Sequence, residues 1–287
     1  MAGSIRKVGV VGCGLMGAGI VEVAAAAGFE VTVTEIDDDA LAKGLKKVRQ
    51  SMKIAVRKGK LDEDTAAKAD ANIQGATSLD ALADRDLVIE AATENAPIKK
   101  QVFQTLDAQL GEHAILASNT SSLPIVDLAA VTNRPDRVLG LHFFNPVPVM
   151  QLLEMVRAET TSDATIDACR EFGEAIGKRV IVARDTSGFI VNRLLVPYIL
   201  DAVRMFESGS ATAEDIDAGM KLGCGHPMGP LALLDFVGLD TTLAICEIMF
   251  DEFKDAKYAA PPLLRRLVAA GHYGRKSGKG IYDYSKG

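Results

Sequence analysis

The stretch Lys7-Val8-Gly9-Val10-Val11-Gly12-Cys13-Gly14-Leu15-Met16-Gly17 joins a short apolar segment to three glycines spaced as G-x-G-x-x-G. An alanine-rich segment, residues 18–27, follows and predicts a helix that ends at Gly28. In the order strand, glycine turn, helix, the backbone can approach a pyrophosphate closely, and the amides of the helix N-terminus attract its charge. The stretch therefore predicts a dinucleotide-binding turn, whose expected cofactor contacts are Gly12, Gly14, Leu15, Met16 and Gly17.

A second predicted strand, residues 30–34, follows this helix and is succeeded by the acidic residue Glu35. A carboxylate about 20 residues beyond the glycines accepts hydrogen bonds from the ribose hydroxyls of the adenosine and repels a 2′-phosphate. Glu35 therefore favours NAD over NADP as the cofactor. Asp37, two residues further on, is a second carboxylate in the same region.

Apolar runs continue to alternate with helical segments after Glu35. Buried strands are predicted over residues 86–92, 114–117 and 138–143, with further strand over 150–156 and 180–182. This alternation predicts an α/β fold with a doubly wound, mostly parallel sheet. We expect this nucleotide-binding domain to occupy residues 1–187 and to end at a hinge around Gly188.

Beyond the hinge the pattern becomes helical, and it predicts helices over residues 190–207, 213–222, 232–253 and 262–270. We therefore expect an all-helical second domain, residues 188–287. Its helices carry more apolar surface than so small a domain can bury alone. This surplus predicts a homodimer that forms through the helical domain.

Composition excludes several classes of protein. The chain has 287 residues with 32 basic and 38 acidic side chains, and a net charge of −6 argues against nucleic acid as a partner. The four cysteines are scattered, without the spacing of a zinc site or a disulfide framework, so no metal is expected. We see no signal peptide and no apolar run of the ~20 residues that cross a bilayer, which predicts a cytoplasmic protein without membrane association.

His142 is the strongest candidate for acid–base chemistry. It lies near the end of the predicted strand 138–143, because Asn145-Pro146 stops that strand. Ligands of open parallel sheets bind outside the carboxyl ends of the strands, so a histidine there faces a bound molecule. Glu154 is the expected partner, since a carboxylate fixes the tautomer and stabilises the imidazolium. The alternative is a hydrogen-bonded core histidine.

Four other features of the sequence have both a structural and a functional interpretation. The basic segment 38–60 is either a solvated helix face or an anchor for a polyanion such as the phosphates of coenzyme A. The small polar run 118–122 either caps a turn or holds nicotinamide and substrate. Asn192 either satisfies the start of a helix or faces the first domain, and the glycine-rich end of the chain either covers a cofactor or is a flexible tail.

Taken together, these motifs resemble the L-3-hydroxyacyl-CoA dehydrogenases over essentially the full length. The resemblance rests on five segments in order: residues 11–19, 117–122, 140–146, 188–193, and 227–230 with 238–240. It departs from the family at Glu35, where aspartate is usual, and at Cys13 in the glycine turn. It implies an acyl-CoA substrate, NAD as cofactor and a dimer.

The resemblance also implies a role for each matching residue. His142 would be the base and Glu154 its partner, while Ser121 and Asn192 would orient the substrate oxygen. Glu94, Lys99, Asn145 and Lys276 would join the glycine turn and Glu35 around NAD. Ser51, Lys58 and Ser121 would contact the coenzyme A substrate. Two alternatives stay open, a dehydrogenase of a free 3-hydroxy acid and a non-catalytic NAD-binding member of the family.

Overall fold

The computed structural model describes residues 5–285 of the chain. Its contacts divide the chain into two compact units, Met1–Asp185 and Thr186–Gly287. The predicted boundary lay slightly further along, between Ser187 and Gly188. No helix among residues 5–285 combines the length and apolar character needed to cross a membrane.

The first unit contains one eight-stranded sheet with helices between the strands. Its strands are β1 (Lys7–Val11), β2 (Glu30–Thr34), β3 (Ile73–Ala76), β4 (Leu87–Glu90), β5 (Ile115–Ser118), β6 (Val138–Phe143), β7 (Leu152–Arg157) and β8 (Arg179–Arg184). Its helices are α1 (Leu15–Ala26), α2 (Asp38–Arg57), α3 (Glu63–Ala71), α4 (Ala96–Gln109), α5 (Ile125–Ala129) and α6 (Asp163–Ala175).

The strands lie in the order β3-β2-β1-β4-β5-β6-β7-β8. Every neighbouring pair is parallel except β6 and β7, which are antiparallel. The predicted α/β fold with a doubly wound, mostly parallel sheet is therefore confirmed. Strand order reverses between β1 and β4, and in such sheets the ligand crevice lies at the carboxyl ends of these two strands.

The register of β1 places the glycine turn at this crevice. Val11, the last residue of β1, pairs with Thr34 on one side and with Glu90 on the other. The glycine turn, Glu35 and the segment after Glu90 therefore begin at the same level of the sheet. Strands β1 and β4 are apolar and buried along most of their length because helices cover both faces of a parallel sheet.

The second unit consists of helices around their own apolar core. These are α7 (Val191–Glu207), α8 (Ala213–Cys224), α9 (Pro230–Val237), α10 (Leu239–Phe253) and α11 (Pro262–Ala269). Two buried carboxylates order the unit. Asp217 accepts hydrogen bonds from the first amides of α9, those of Leu231 and Ala232, at 2.8 and 2.9 Å. Asp235 accepts from the amides of Ile281 and Tyr282 at 2.8 and 2.9 Å, so the chain end is tied to α9.

Two features of the fold differ from the predictions. The prediction of one helix over residues 232–253 is wrong. Helices α9 and α10 are separated by Gly238, whose φ of +106° is incompatible with a continuous helix. Helix α3 and strand β3 were not predicted, because residues 61–76 carry few apolar side chains in either periodicity. Strand β3 lies at the edge of the sheet, and all of its residues are exposed or half-buried.

Candidate active site

The three glycines of the turn have three different surroundings. Gly12 has a φ of +90°, and a Cβ there would lie 2.6 Å from the Ala92 backbone. A Cβ on Gly17 would lie 1.9 Å from the Gly12 carbonyl oxygen. Gly14, by contrast, has open space where its Cβ would be, and no side chain caps the start of α1 behind it. The turn thus presents exposed backbone and helix amides, as a pyrophosphate requires.

Glu35 is held against this turn. Its Oε1 accepts a hydrogen bond from the Cys13 amide at 2.6 Å, and its Oε2 accepts from the Ile36 amide at 3.3 Å. The neighbouring Asp37 has a different task, because it caps α2 by accepting from the Ala40 amide at 2.7 Å. Of the two carboxylates in this region, Glu35 is the one fixed beside the glycines. Burial raises the pKa of the Cys13 thiol to about 11.

Glu94 accepts hydrogen bonds from the polar run that follows β5. Its Oε1 accepts from the Thr120 hydroxyl at 2.6 Å, and from the Ser121 amide and hydroxyl at 2.9 and 3.2 Å. The side chain is 41% exposed, so it also faces solvent. The structure therefore brings together Glu94 and Ser121, two of the predicted site residues.

Lys99 lies below Glu94 and is only 1% exposed. Its ammonium group pairs with Glu90 and lies 3.2 Å from the Ser118 hydroxyl. The Glu94 carboxylate is 3.7 Å away. Lys99, predicted as a cofactor contact, is thus placed inside the protein behind Glu94.

His142 and Glu154 oppose each other across β6 and β7. Directly paired residues of neighbouring strands project on the same face of a sheet, which brings the two side chains together. His142 Nδ1 lies 2.7 Å from Glu154 Oε2, and the residues are 6% and 0% exposed. The Asn119 side-chain oxygen accepts from the amide of the next residue, Phe143, at 2.9 Å and fixes the end of β6. The predicted pair is therefore preformed.

The loop that follows β6 is anchored from below by Lys178. Its ammonium group donates to the carbonyl oxygens of Val147 and Met150 at 2.5 and 2.7 Å. Burial lowers the pKa of Lys178, which the charge of Glu22 partly offsets. Asn145, the predicted cofactor contact in this loop, is exposed.

Ser51 and Lys58 line one cavity of about 410 Å³ in the first unit. Its walls come from α1, α2, α6 and the loop after β6, and they include Glu22 and Val149. The two predicted coenzyme A contacts are therefore neighbours. A larger cavity, of about 740 Å³, lies between α2 and α3 and is lined by Arg49, Lys53 and Arg57 among others.

The remaining predicted residues belong to the second unit. Asn192 is in the first turn of α7. Lys276 lies in a short 3₁₀ turn, Arg275–Ser277, and its ammonium group is 2.7 Å from the Asp240 carboxylate. Among residues 5–285 there is no group of three or more His, Cys, Asp or Glu side chains suited to a metal ion.

The residues that support the predicted site residues from within the protein were not predicted individually from the sequence. Glu90 and Ser118 support Lys99, Asn119 supports β6, and Lys178 supports the loop after β6. A signal existed for Glu90, because a carboxylate at the end of the apolar run Leu87-Val88-Ile89 must be paired if it is buried. Ser118 and Asn119 belong to the polar run 118–122, which the sequence singled out only as a whole, and Lys178 lies in a segment of ordinary composition.

Comparison with known proteins gives matches over nearly the whole chain. Residues 7–186 match the model of the 3-hydroxyacyl-CoA dehydrogenase NAD binding domain, and residues 188–284 match the C-terminal domain of the same family. The 3-hydroxybutyryl-CoA dehydrogenase of Mycobacterium tuberculosis is 49% identical over 286 residues, which cover 99% of this chain and 100% of the relative. The human mitochondrial hydroxyacyl-coenzyme A dehydrogenase is 45% identical, with 98% of this chain and 91% of the relative covered.

A solved structure extends the comparison to the fold. The crystal structure of (S)-3-hydroxybutyryl-CoA dehydrogenase from Ralstonia eutropha superposes with a TM-score of 0.94 and is 49% identical, covering 98% of this chain and 100% of that one. The fold and its glycine turn define an α/β protein with a dinucleotide-binding domain. Within that class, the chain belongs to the 3-hydroxyacyl-CoA dehydrogenase family. The family resemblance found in the sequence is confirmed, and so is the predicted oxidoreduction of 3-hydroxyacyl-CoA.

Proposed function

We propose that this chain interconverts an (S)-3-hydroxyacyl-CoA, 3-hydroxybutyryl-CoA in the first place, and the corresponding 3-ketoacyl-CoA, with NAD as cofactor and His142 as acid–base group. The hydrogen-bonded pair of His142 and Glu154 carries this proposal. The names of the M. tuberculosis and R. eutropha relatives support the four-carbon substrate.

The surroundings of the glycine turn fit NAD. The exposed backbone at Gly14 and the uncapped start of α1 would bind the pyrophosphate, and Glu35 would bind the adenosine ribose. Leu15 and Ile36, which are 68% and 87% exposed, offer apolar surface beside them. We also assign Met16, Gly12 and Gly17 to this cradle. Glu94, Lys99, Asn145 and Lys276 remain proposed members of the cofactor set, in which the buried Lys99 would act through Glu94.

His142 is proposed to exchange a proton with the substrate. When bound, the nicotinamide supplies or takes up the hydride at C3 of the substrate. His142 Nδ1 donates to Glu154, so Nε2 is the nitrogen that exchanges a proton with the 3-oxygen. Glu154 stabilises the imidazolium and holds the ring in place. Ser121 and Asn192 are proposed to orient the substrate oxygen.

The coenzyme A portion is proposed to bind at the cavity that contains Ser51 and Lys58. Lys58 is exposed at the end of α2 and offers a cation for a phosphate, while the half-buried Ser51 offers a hydroxyl. Both lie in the same unit as His142. This arrangement favours a coenzyme A thioester over a free 3-hydroxy acid.

We also propose that the chain forms a homodimer through its helical unit and works in the cytoplasm. The exposed apolar side chains of that unit, among them Leu194, Met205 and Leu222, support the first part. The four cysteines are all free thiols, which supports a reducing compartment.

One set of assays tests the substrate. NADH oxidation is measured with acetoacetyl-CoA, with longer 3-ketoacyl-CoAs and with free acetoacetate. We expect the largest kcat/KM with acetoacetyl-CoA and little turnover of the free acid. A preference for free acetoacetate would favour the dehydrogenase of a free acid, and no turnover of any of them would favour a non-catalytic NAD-binding protein.

The choice of cofactor is tested separately, with acetoacetyl-CoA held constant. We expect NADH to be used with a kcat/KM at least about tenfold above that of NADPH, because Glu35 would repel the 2′-phosphate. The variant Glu35→Gln, which keeps the size and removes the charge, should narrow this ratio. Equal kinetics with NADPH in the unmodified protein would contradict the assignment of Glu35.

A further inference from the structure

A buried polar cluster joins the glycine turn to the polar run that holds Ser121. It consists of Glu90 at the end of β4, Lys99 on α4 and Ser118 at the end of β5, with exposures of 0%, 1% and 0%. We propose that this cluster, which we name the switch-point cluster, positions Glu94 and the backbone beside Gly12, and so couples cofactor binding to the orientation of Ser121. The inference rests on the proposed function and adds Glu90 and Ser118 to it as positioning residues.

Glu90 is the centre of the cluster. Its Oε2 accepts from the Lys99 ammonium and, at 3.2 Å, from the Ser118 hydroxyl. Its Oε1 accepts from the Ala92 amide at 2.9 Å. Both carboxylate oxygens are therefore engaged, and each holds a different segment of chain. A buried carboxylate with this many partners has little freedom to reorient.

The Oε1 side leads to the cofactor cradle. The Ala92 amide is fixed by Glu90, and the Ala92 backbone is what a Cβ on Gly12 would meet at 2.6 Å. The turn at Gly12 is thus packed against a segment whose position Glu90 sets. Any shift of Ala92 would be transmitted to the backbone that is proposed to face the pyrophosphate.

The Oε2 side leads to Ser121. Lys99 lies between two carboxylates, paired with Glu90 and 3.7 Å from Glu94. Glu94 in turn binds the Ser121 amide and hydroxyl. If Glu90 lost its charge, the nearby anion for Lys99 would be Glu94. Lys99 would then compete with Thr120 and Ser121 for that carboxylate.

A purely structural role is the competing interpretation, since breaking a buried ion pair destabilises a fold by itself. The two interpretations differ in what happens when both charges are removed. A structural pair can be replaced by two neutral residues of similar size with stability and binding both recovered. A positioning pair would recover stability alone, because the double variant removes the competition for Glu94 but also leaves Glu94 without the ammonium group behind it.

The test compares Glu90→Gln with the double variant Glu90→Gln/Lys99→Met. The Kd for NADH is measured by fluorescence titration, the Tm by thermal unfolding, and kcat and KM with acetoacetyl-CoA. We expect Glu90→Gln to raise the Kd for NADH by about tenfold and to lower kcat, as for the loss of a hydrogen bond to a charged group. The double variant should regain Tm but keep the raised Kd.

Two further variants make the test decisive. Lys100→Met removes the next lysine of α4, a partly exposed residue 2.9 Å from Asp127, and should change neither Kd nor kcat. Ser118→Ala changes no charge, so it should fold, and we expect a Kd for NADH about threefold higher. The proposal is overturned if the double variant regains the original Kd, or if Ser118→Ala and Glu90→Gln bind NADH unchanged. If the unmodified protein does not turn over acetoacetyl-CoA, the proposed function fails instead, and the Kd comparison still stands.

Discussion

The proposed roles of His142 and Glu154 depend on each other, because the two side chains are hydrogen-bonded across neighbouring antiparallel strands. The antiparallel pairing of β6 with β7 puts the two residues directly opposite each other. A carboxylate at 2.7 Å from Nδ1 favours one tautomer and one ring orientation, which leaves little reorganisation for the proton transfer. Their proposed roles therefore belong to the pair rather than to either side chain.

This interdependence makes a prediction for variants. His142→Gln should lower kcat by about 10²–10⁴, the usual contribution of a positioned acid–base group, with little change in the Kd for NADH. Glu154→Gln should also lose much of the rate. The double variant should be scarcely slower than His142→Gln, because without the imidazole Glu154 has no charge to stabilise. Steady-state kinetics check this, and additive losses would show that Glu154 acts independently.

Glu22 is a second buried carboxylate, placed in the wall of the proposed coenzyme A cavity and 4% exposed. Burial raises its pKa above the ordinary 4.5, and hydrogen bonding from Ser51 and the charge of Lys178 oppose that rise. The folded protein therefore holds the proton of Glu22 more tightly than the unfolded chain does. Its contribution to stability is present below pH 4.5 and is lost as the pH rises through the raised pKa.

The variant Glu22→Gln has no such proton to lose. The Tm of the variant minus the Tm of the unmodified protein should therefore become more positive as the pH rises from 4 to 7. Thermal unfolding at several pH values in matched buffers checks the difference. Glu171→Gln, an exposed position on α6, serves as the control and should follow the unmodified protein at every pH. Parallel curves for Glu22→Gln and the unmodified protein would show that the titration of Glu22 is not linked to unfolding.

Individual residues could be predicted from the sequence where their position along the chain has a chemical meaning. Glu35 follows a strand at the distance of a ribose contact, and His142 precedes a strand-ending Asn145-Pro146. Lys99 gave no sign that it is buried. Its partner Glu90 lies on a different element, and the pairing depends on how α4 packs under the sheet. Such contacts between elements leave no local pattern in a sequence.

At the scale of elements, the proposal that the basic side of α2 binds coenzyme A can be tested separately. Lys58 ends this helix at the proposed coenzyme A cavity. Lys58→Ala should raise KM for acetoacetyl-CoA by about fivefold with kcat nearly unchanged, because a remote contact binds ground state and transition state alike. A thioester without the nucleotide should be unaffected.

Lys46 provides the matched control for this experiment. It is an exposed lysine of α2 that lines a different cavity, so Lys46→Ala should leave KM unchanged. An equal rise in KM for both variants would mean that α2 acts through its overall charge. An unchanged KM for Lys58→Ala would favour the alternative that the basic segment 38–60 is a solvated helix face.

The strands next to the site were predicted closely, and the reason is physical. Strands β1 and β6 are buried on both faces, so their residues form apolar runs, and glycine or proline follows each of them. Helix α3 and strand β3 are partly exposed, and their sequence is correspondingly mixed. The division of α9 from α10 depends on one residue, Gly238, because apolar periodicity continues across it.

At the scale of the whole molecule, the helical unit leaves large apolar side chains uncovered. On α7 these include Leu194 and Met205, which are 73% and 49% exposed, and on α8 Leu222 is 86% exposed. A cavity of about 360 Å³ between α7 and α8 is lined by Met205, Ile216 and Met220. Exposed apolar surface of this kind marks protein interfaces, and it supports the proposed dimer.

The last prediction places this interface on α8. Leu222→Glu would put a charge into a surface that must lose its water on association, so we expect it to convert a dimer of about twice the 30.4 kDa chain mass to a monomer. Sedimentation velocity over a range of concentrations measures the change. Val182→Glu introduces the same charge at a 41% exposed position on β8 in the first unit and should leave the dimer intact. If Val182→Glu alone dissociated the dimer, the interface would have to lie at the sheet edge instead. If the unmodified protein were a monomer, the proposed dimer would be wrong.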